Sequence, residues 1–252
     1  MIHNIHKVLD RADAIDVSEG LVAYHRYNEQ LRAFADYYSF PLNRVAAAFV
    51  SLSPNNSYWN NLRSLASVLD GVNAGAPVDA IKVATYNHCR NRAYDYAMGN
   101  LEFLSTAKGP KIRAFYQNIL DPHDTTPVTV DGHMISIWNG RRVTMKEAVY
   151  LRLNYETIAH GFRCVGFMRG LVPNQVQAIC WFTWKRINNI IAARQMNFLA
   201  GDDQWQTVRD VGRIKPFERY VTDGVSGTVR TGADAVTREE GQTAWLWELS
   251  AK

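Results

Sequence analysis

A chain of 252 residues, 47% hydrophobic and 21% charged, is long enough for a sizeable core and has the ordinary balance of a soluble globular protein. A formal net charge of +4 and a pI of about 8.9 permit a nucleic-acid partner without demanding one. Cys89, Cys164 and Cys180 have no C-x-x-C spacing, which excludes a disulfide framework and a zinc or iron–sulfur set. No basic-then-apolar leader and no apolar run of membrane-spanning length are present, so the expectation is a cytoplasmic protein with no membrane partner, no metal and no cofactor.

Residues 4–15 carry Ile5, Val8, Leu9 and Ala12 at helical spacing, with a stop and restart expected at 16–19 and Asp16 or Ser18 as N-cap. Residues 21–38 follow as a long amphipathic helix whose apolar face includes Leu21, Tyr24, Leu31, Phe34, Ala35 and Tyr38. Pro41 suits the first turn of a helix over 42–52 that is apolar almost all round and therefore buried. Pro54 and the Asn55-Asn56-Ser57 run break it before a helix over 58–69. A loop is expected at 70–77, then a helix capped by Asp79 and reaching about Met98, with His88, Arg90 and Arg92 on a solvated face.

A short helix at 101–106 leads to Lys108-Gly109-Pro110-Lys111 and a helix over 112–120. Val130-Asp131-Gly132-His133-Met134 opens a helix over 133–138. Thr144 caps a helix over 145–153, another spans 155–164, and the longest confident pattern runs from Gln175 to about Leu199. Beyond residue 201 the periodicity fades. Residues 221–236 are rich in Gly, Thr and Asp, and Trp245 and Trp247 offer something apolar to dock. The fold class is mainly α, with a helical domain over 1–201 and a partly irregular extension over 202–252.

Lysine and aspartate at the two ends of one helix-and-loop unit, Lys111 and Asp131, are suited to covalent or acid–base chemistry. The alternative for each is plain: Lys111 as a surface lysine and Asp131 as a helix N-cap. Arg113, Arg141, Arg142, Lys146, Arg163, Arg169, Lys185 and Arg186 are candidates for a phosphate-tracking surface.

Over about residues 46–199 these motifs resemble those of the helix-hairpin-helix DNA glycosylases, most closely the 8-oxoguanine glycosylase branch. The resemblance rests on a lysine after a glycine-marked turn, a V-D-x-H segment about twenty residues later, an S-P-N-N-S turn, and P-N-Q-V-Q-A-I-C-W late in the chain. It implies a two-lobed helical fold around a cleft, with Asp131 as catalytic carboxylate and Lys111 as nucleophile at the sugar C1′. Gln177 would read the base edge, Phe115 and Trp181 would sandwich the base, and His133 would line the same pocket. Asn55, with Asn56 beside it, would enter the gap left by a flipped nucleotide, and Gly109 and Arg113 would contact DNA. One departure is evident. The family's G-x-G hairpin is here Gly109 followed by Pro110, which lacks an N–H to offer a phosphate.

The implied partner is double-stranded DNA containing a modified base, with no obligate protein partner. The implied reaction is removal of an oxidised purine or, as in some bacterial relatives that defend against phage, a hypermodified base such as glucosylated hydroxymethylcytosine. The alternatives are a non-catalytic DNA-binding protein of the same fold, and an all-α interaction protein in which every motif is cap or core.

Overall fold

The computed structural model describes residues 1–54, 56, 58–144, 146–148 and 154–188, and the fold is mainly α, with no strand among the described residues. Asn55, most of the helix expected at 145–153, the end of the last long helix and the whole 202–252 extension lie outside them.

Ten α-helices and one 3-10 turn are described. They are α1 (Ile2–Leu9), α2 (Ala14–Tyr38), α3 (Leu42–Leu52), α4 (Tyr58–Asn73), α5 (Asn87–Met98), α6 (Phe103–Thr106), α7 (Pro110–Leu120), α8 (Gly132–Asn139), α9 (Tyr155–Arg169) and α10 (Pro173–Ile187). The chain divides into two compact units. One holds Met1–Asn28 with the described residues from Lys108 onward, the other Glu29–Ala107.

In the second unit α3 is the centre. Every residue from Val45 to Leu52 is buried, as its all-round apolar pattern predicts, and α4 and α5 pack on it. Asn61 of α4 donates its amide to the Phe49 carbonyl at 3.2 Å. Two expectations are corrected here. The 70–73 stretch continues α4 through Gly71 instead of forming a loop, because Asp70 and Gly71 are buried on its packed face. The helix expected from Asp79 is a 3-10 turn, Val78–Ala80, and α5 begins only at Asn87. Asp79 instead accepts from Arg90 at 2.6 Å, which takes Arg90 off the solvated face and leaves His88 and Arg92 exposed.

In the first unit α1 packs against α8, α9 and α10, and α10 against α8 and α9. The break between α1 and α2 falls at 10–13, earlier than expected. Asp13 is the cap, its Oδ1 accepting from the Ile15 and Asp16 amides at 3.1 and 3.0 Å. Asp16 is thereby released to accept from Arg186 at 2.6 Å. A glycine governs how α2 meets α10: a Cβ at Gly20 would lie 2.5 Å from the Ile179 backbone nitrogen. That approach puts Tyr24, one turn further along α2, within reach of Gln177 on α10.

Candidate functional site

Residues 128–131 are extended, and Tyr155 of α9 holds them in place. Its hydroxyl donates to the Val128 carbonyl at 2.6 Å and accepts from the Val130 amide at 3.2 Å. The chain then turns into α8 with Asp131 as N-cap, Oδ1 accepting from the Met134 amide at 2.9 Å. Asp131 is 2% exposed, and its Oδ2 accepts no hydrogen bond among the described residues. One oxygen thus does the capping that the simple reading assigns, and the other is left over in a buried setting.

Burial pushes the Asp131 carboxyl up to about 6. The Lys111 ammonium opposes this most, followed by the Met134 and His133 amides and the Lys185 ammonium. Lys111 sits in the first turn of α7, one residue after Pro110, half-buried and within electrostatic reach of Asp131. Gly109 caps α7 at φ +95°, a left-handed conformation only glycine adopts without strain, and Pro110 supplies the preset φ of the first helical position.

His133 lies two residues after Asp131 in α8. Burial, then the charges of Lys185, Lys111 and Arg142, lowers it to about 3, so its imidazole is neutral. Its ring meets Trp181 edge-on at 6.1 Å between centroids. On α10, Gln177, Trp181 and Lys185 recur every fourth residue and share one face, and all three are buried. The Lys185 Nζ lies 4.3 Å from the Trp181 ring centroid. A desolvated cation on an indole face is worth about 2 kcal/mol.

Gln177 is held by a chain of buried polar groups. Its Oε1 accepts from the Tyr24 hydroxyl at 2.7 Å, and Thr129 Oγ1 is 3.0 Å from the same hydroxyl. Asn118 donates to Thr129 Oγ1 at 3.1 Å, and Asn174 donates to Asn118 Oδ1 at 3.3 Å and to the Pro122 carbonyl at 2.9 Å. The Gln177 Nε2 has no partner among the described residues. Phe115, one turn after Lys111, packs edge-on against Tyr27 at 5.5 Å and Tyr24 at 6.2 Å.

The first unit therefore gathers Asp131, Lys111, His133, Gln177, Trp181 and Phe115 around Tyr24 and Lys185. The remaining expected residues lie elsewhere. Asn56 belongs to the other unit, where it is buried and donates to the Leu52 carbonyl at 3.1 Å, closing the end of α3. Asn55 lies outside the described residues. Gly109 and Arg113 are exposed.

Lys185 overturns its expected place on a basic surface, being fully buried. Several other members of that surface are engaged within the chain: Arg141 with Glu147, Arg163 with Glu156, Arg169 with Asp10, and Arg186 with Asp16. Sequence reasoning also missed the Tyr24–Thr129–Asn118–Asn174 chain. The signal was faint: Lys185 falls one helical turn after Trp181.

The chain belongs to a family of unknown function (DUF7178), whose model matches residues 1–189 and so takes in every described helix. No curated protein and no solved structure matches it. No helix among the described residues is long and apolar enough to cross a membrane.

Proposed function

We propose that this protein is a DNA glycosylase with a helix-hairpin-helix type of fold, which flips a modified or damaged base out of DNA and cleaves its N-glycosidic bond to leave an abasic site. The substrate is an oxidised purine or a hypermodified base such as glucosylated hydroxymethylcytosine of phage DNA. The observation that carries this reading is the buried Asp131 carboxylate, half committed to a helix cap and half free, beside Lys111.

In the proposed reaction the C1′–N bond breaks and its electron pair leaves with the base. Positive charge develops on the sugar, and the ionised Asp131 stabilises it in a site short of water. The Lys111 and Lys185 ammoniums stabilise the negative charge on the departing base. Water then bonds to C1′ and passes its proton to Asp131. Where Lys111 adds instead, its ammonium first gives a proton to the departing base, and the neutral amine then forms a C1′–N bond that opens the route to strand cleavage. The entering base takes the place of the Lys185 ammonium on the Trp181 face, and the stacking on Trp181 offsets part of the few kcal/mol that flipping costs.

The test is base release by Asp131→Asn, which keeps the cap to Met134 and removes the charge. Release is expected to fall at least about a hundredfold, the size of a lost electrostatic contribution of this kind, with DNA affinity nearly unchanged. Unchanged release contradicts the proposal. Borohydride trapping of a DNA adduct that disappears in Lys111→Ala identifies the attacking amine.

One observation favours a second reading, a DNA-binding protein of the same fold without chemistry. Asp131 already serves as a cap, and Lys185 already covers Trp181, so the cluster is also self-sufficient as core. That reading predicts salt-dependent DNA binding and no abasic sites from any substrate.

A further inference from the structure

Residues 128–131 are extended without a neighbouring strand among the described residues, so side chains from the surrounding helices take the place of a ladder. The main chain is held from α9. The Tyr155 hydroxyl donates to the Val128 carbonyl at 2.6 Å and accepts from the Val130 amide at 3.2 Å, bridging the two neighbours of Thr129. About two turns along α9, Arg163 donates to the Thr126 carbonyl at 3.0 Å, so one helix grips the stretch at two places. Thr129 is held through its side chain instead, Oγ1 accepting from the Tyr24 hydroxyl at 3.0 Å and from the Asn118 amide at 3.1 Å. Val128, Thr129 and Val130 are all buried, so a partner lost here leaves a bare polar group. Burial pushes the Tyr155 phenol above its ordinary range, and it keeps the proton it gives to Val128. Asp131 comes next in the chain, with Oδ1 tied to the Met134 amide at 2.9 Å. A clip before it and a cap after it thus fix the carboxylate.

We propose that Tyr155 is the positioning residue of this site: acting through the 128–130 main chain, its hydroxyl fixes where the free oxygen of Asp131 points, without touching a reacting atom. The reaction that this oxygen serves rests on the glycosylase reading, whereas the way it is held rests on the hydrogen bonds alone. An ionised carboxylate kept out of water is held at a cost, so a loose segment would turn it toward solvent. The single bond to Met134 leaves the main chain before Asp131 free to swing, and the Tyr155 clip removes that freedom. A reacting group displaced by about 1 Å can lose about a hundredfold in rate. The charged and titratable groups around Asp131 are the Lys111 and Lys185 ammoniums, the neutral His133 imidazole and the Tyr24 and Tyr155 phenols. A change at Tyr155 takes away none of the charges in this set. A change in the titration of Asp131 therefore reports where the carboxylate sits.

The experiment reads the carboxylate and the reaction separately, both on the full chain. Carbon-13 NMR of aspartate-labelled protein, with Asp131 assigned by its absence in Asp131→Asn, gives the titration of that carboxyl in the folded state. Its midpoint in wild type is expected at about 6. Tyr155→Phe keeps the ring and removes the clip. Water then reaches the carboxylate, and the midpoint is expected to fall by about one pH unit, a tenfold change in proton affinity, toward the ordinary 3.8. A role in stability alone would lower resistance to denaturant and leave the midpoint unmoved. Arg163→Gln frees the same stretch further from Asp131, at Thr126, and is expected to leave the midpoint where it is. Should Tyr155→Phe not fold, hydrogen exchange of wild type decides, with the Val130 amide expected to exchange as slowly as the buried amides of α8. An unmoved midpoint in Tyr155→Phe, an equal shift in Arg163→Gln, or a Val130 amide that exchanges like an exposed one overturns the inference. Single-turnover base release by Tyr155→Phe near neutral pH is expected to be at least about tenfold slower, with duplex affinity unchanged. A shifted midpoint with no base release by wild type overturns only the glycosylase reading. Base release that Tyr155→Phe leaves at the wild-type rate overturns only this inference.

Discussion

Asp131 meets two demands with one carboxylate, and its titration exposes the conflict between them. Its folded pKa, about 6, lies above the ordinary value of 3.8, so the folded chain binds this proton more tightly than the unfolded chain. Stability from this group is present below about pH 4 and is lost as pH rises through about 6, on the order of 3 kcal/mol at about 1.4 kcal/mol per pH unit. His133 works in the opposite sense. Its folded pKa of about 3 lies below 6.5, so stability is present above pH 6.5 and is lost as pH falls toward 3. Between pH 6.5 and 4 the two oppose each other. Asp131→Asn removes one of them while an amide oxygen can still cap α8. Denaturant titrations are expected to find the variant more stable than wild type by up to about 3 kcal/mol at pH 7.5, the excess shrinking to nothing near pH 4. A variant less stable than wild type at pH 7.5 would mean that the charge is not held at a cost. In the proposed reaction the ionised form is the working one, so base release in wild type is expected to fall by half near pH 6.

At the scale of elements, what was legible in the sequence was local and periodic, and what was not was long-range. The bounds of α3 follow from Pro41 and an all-apolar run. The start of α8 at Asp131 follows from a short polar side chain before an apolar stretch. The break between α1 and α2 was misplaced because Asp10, Asp13 and Asp16 all sit near it. Only the ion pair from Arg186, 170 positions away, shows why Asp16 is not the cap. Sequence alone puts Lys185 on the surface because a lysine is almost never fully buried, and periodicity on α10 does not override that rule without knowledge of Trp181 beneath it. The polar chain from Asn174 to Gln177 spans four elements or loops and has no one-dimensional signature. The contact of α2 with α10 belongs to this hidden class as well. With a Cβ, Gly20→Ala would meet the Ile179 nitrogen at 2.5 Å and its Cα at 2.7 Å, backbone atoms that cannot turn aside. The helices must separate, which is expected to destabilise the first unit by about 1–3 kcal/mol and to lengthen the Tyr24–Gln177 bond. Thermal unfolding of the full chain reads this loss. A neutral Gly20→Ala would contradict the packing described.

At the scale of the whole molecule, the candidate chemistry is concentrated in the unit formed by residues 1–28 and those from 108 onward, although its members come from α2, α7, α8 and α10. A chain that departs at residue 29 and returns at residue 108 is how Tyr24 and Phe115, far apart in sequence, come to share a contact. Arg141, Arg163, Arg169 and Arg186 each face a carboxylate within the fold, so the net charge of +4 is carried by other cations. Of the residues considered for a phosphate-tracking surface, Arg113, Arg142 and Lys146 are exposed on the same unit. The central proposal is that the protein removes a base from DNA. The most direct measurement counts abasic sites, with an aldehyde-reactive probe, after incubating the full chain with phage genomic DNA containing glucosylated hydroxymethylcytosine, with unmodified DNA of the same sequence, and with duplexes containing 8-oxoguanine. The predicted result is abasic sites that accumulate with time in the glucosylated DNA or in the 8-oxoguanine duplexes and are lost with Asp131→Asn. No abasic sites above the protein-free level in any of the three DNAs would contradict it.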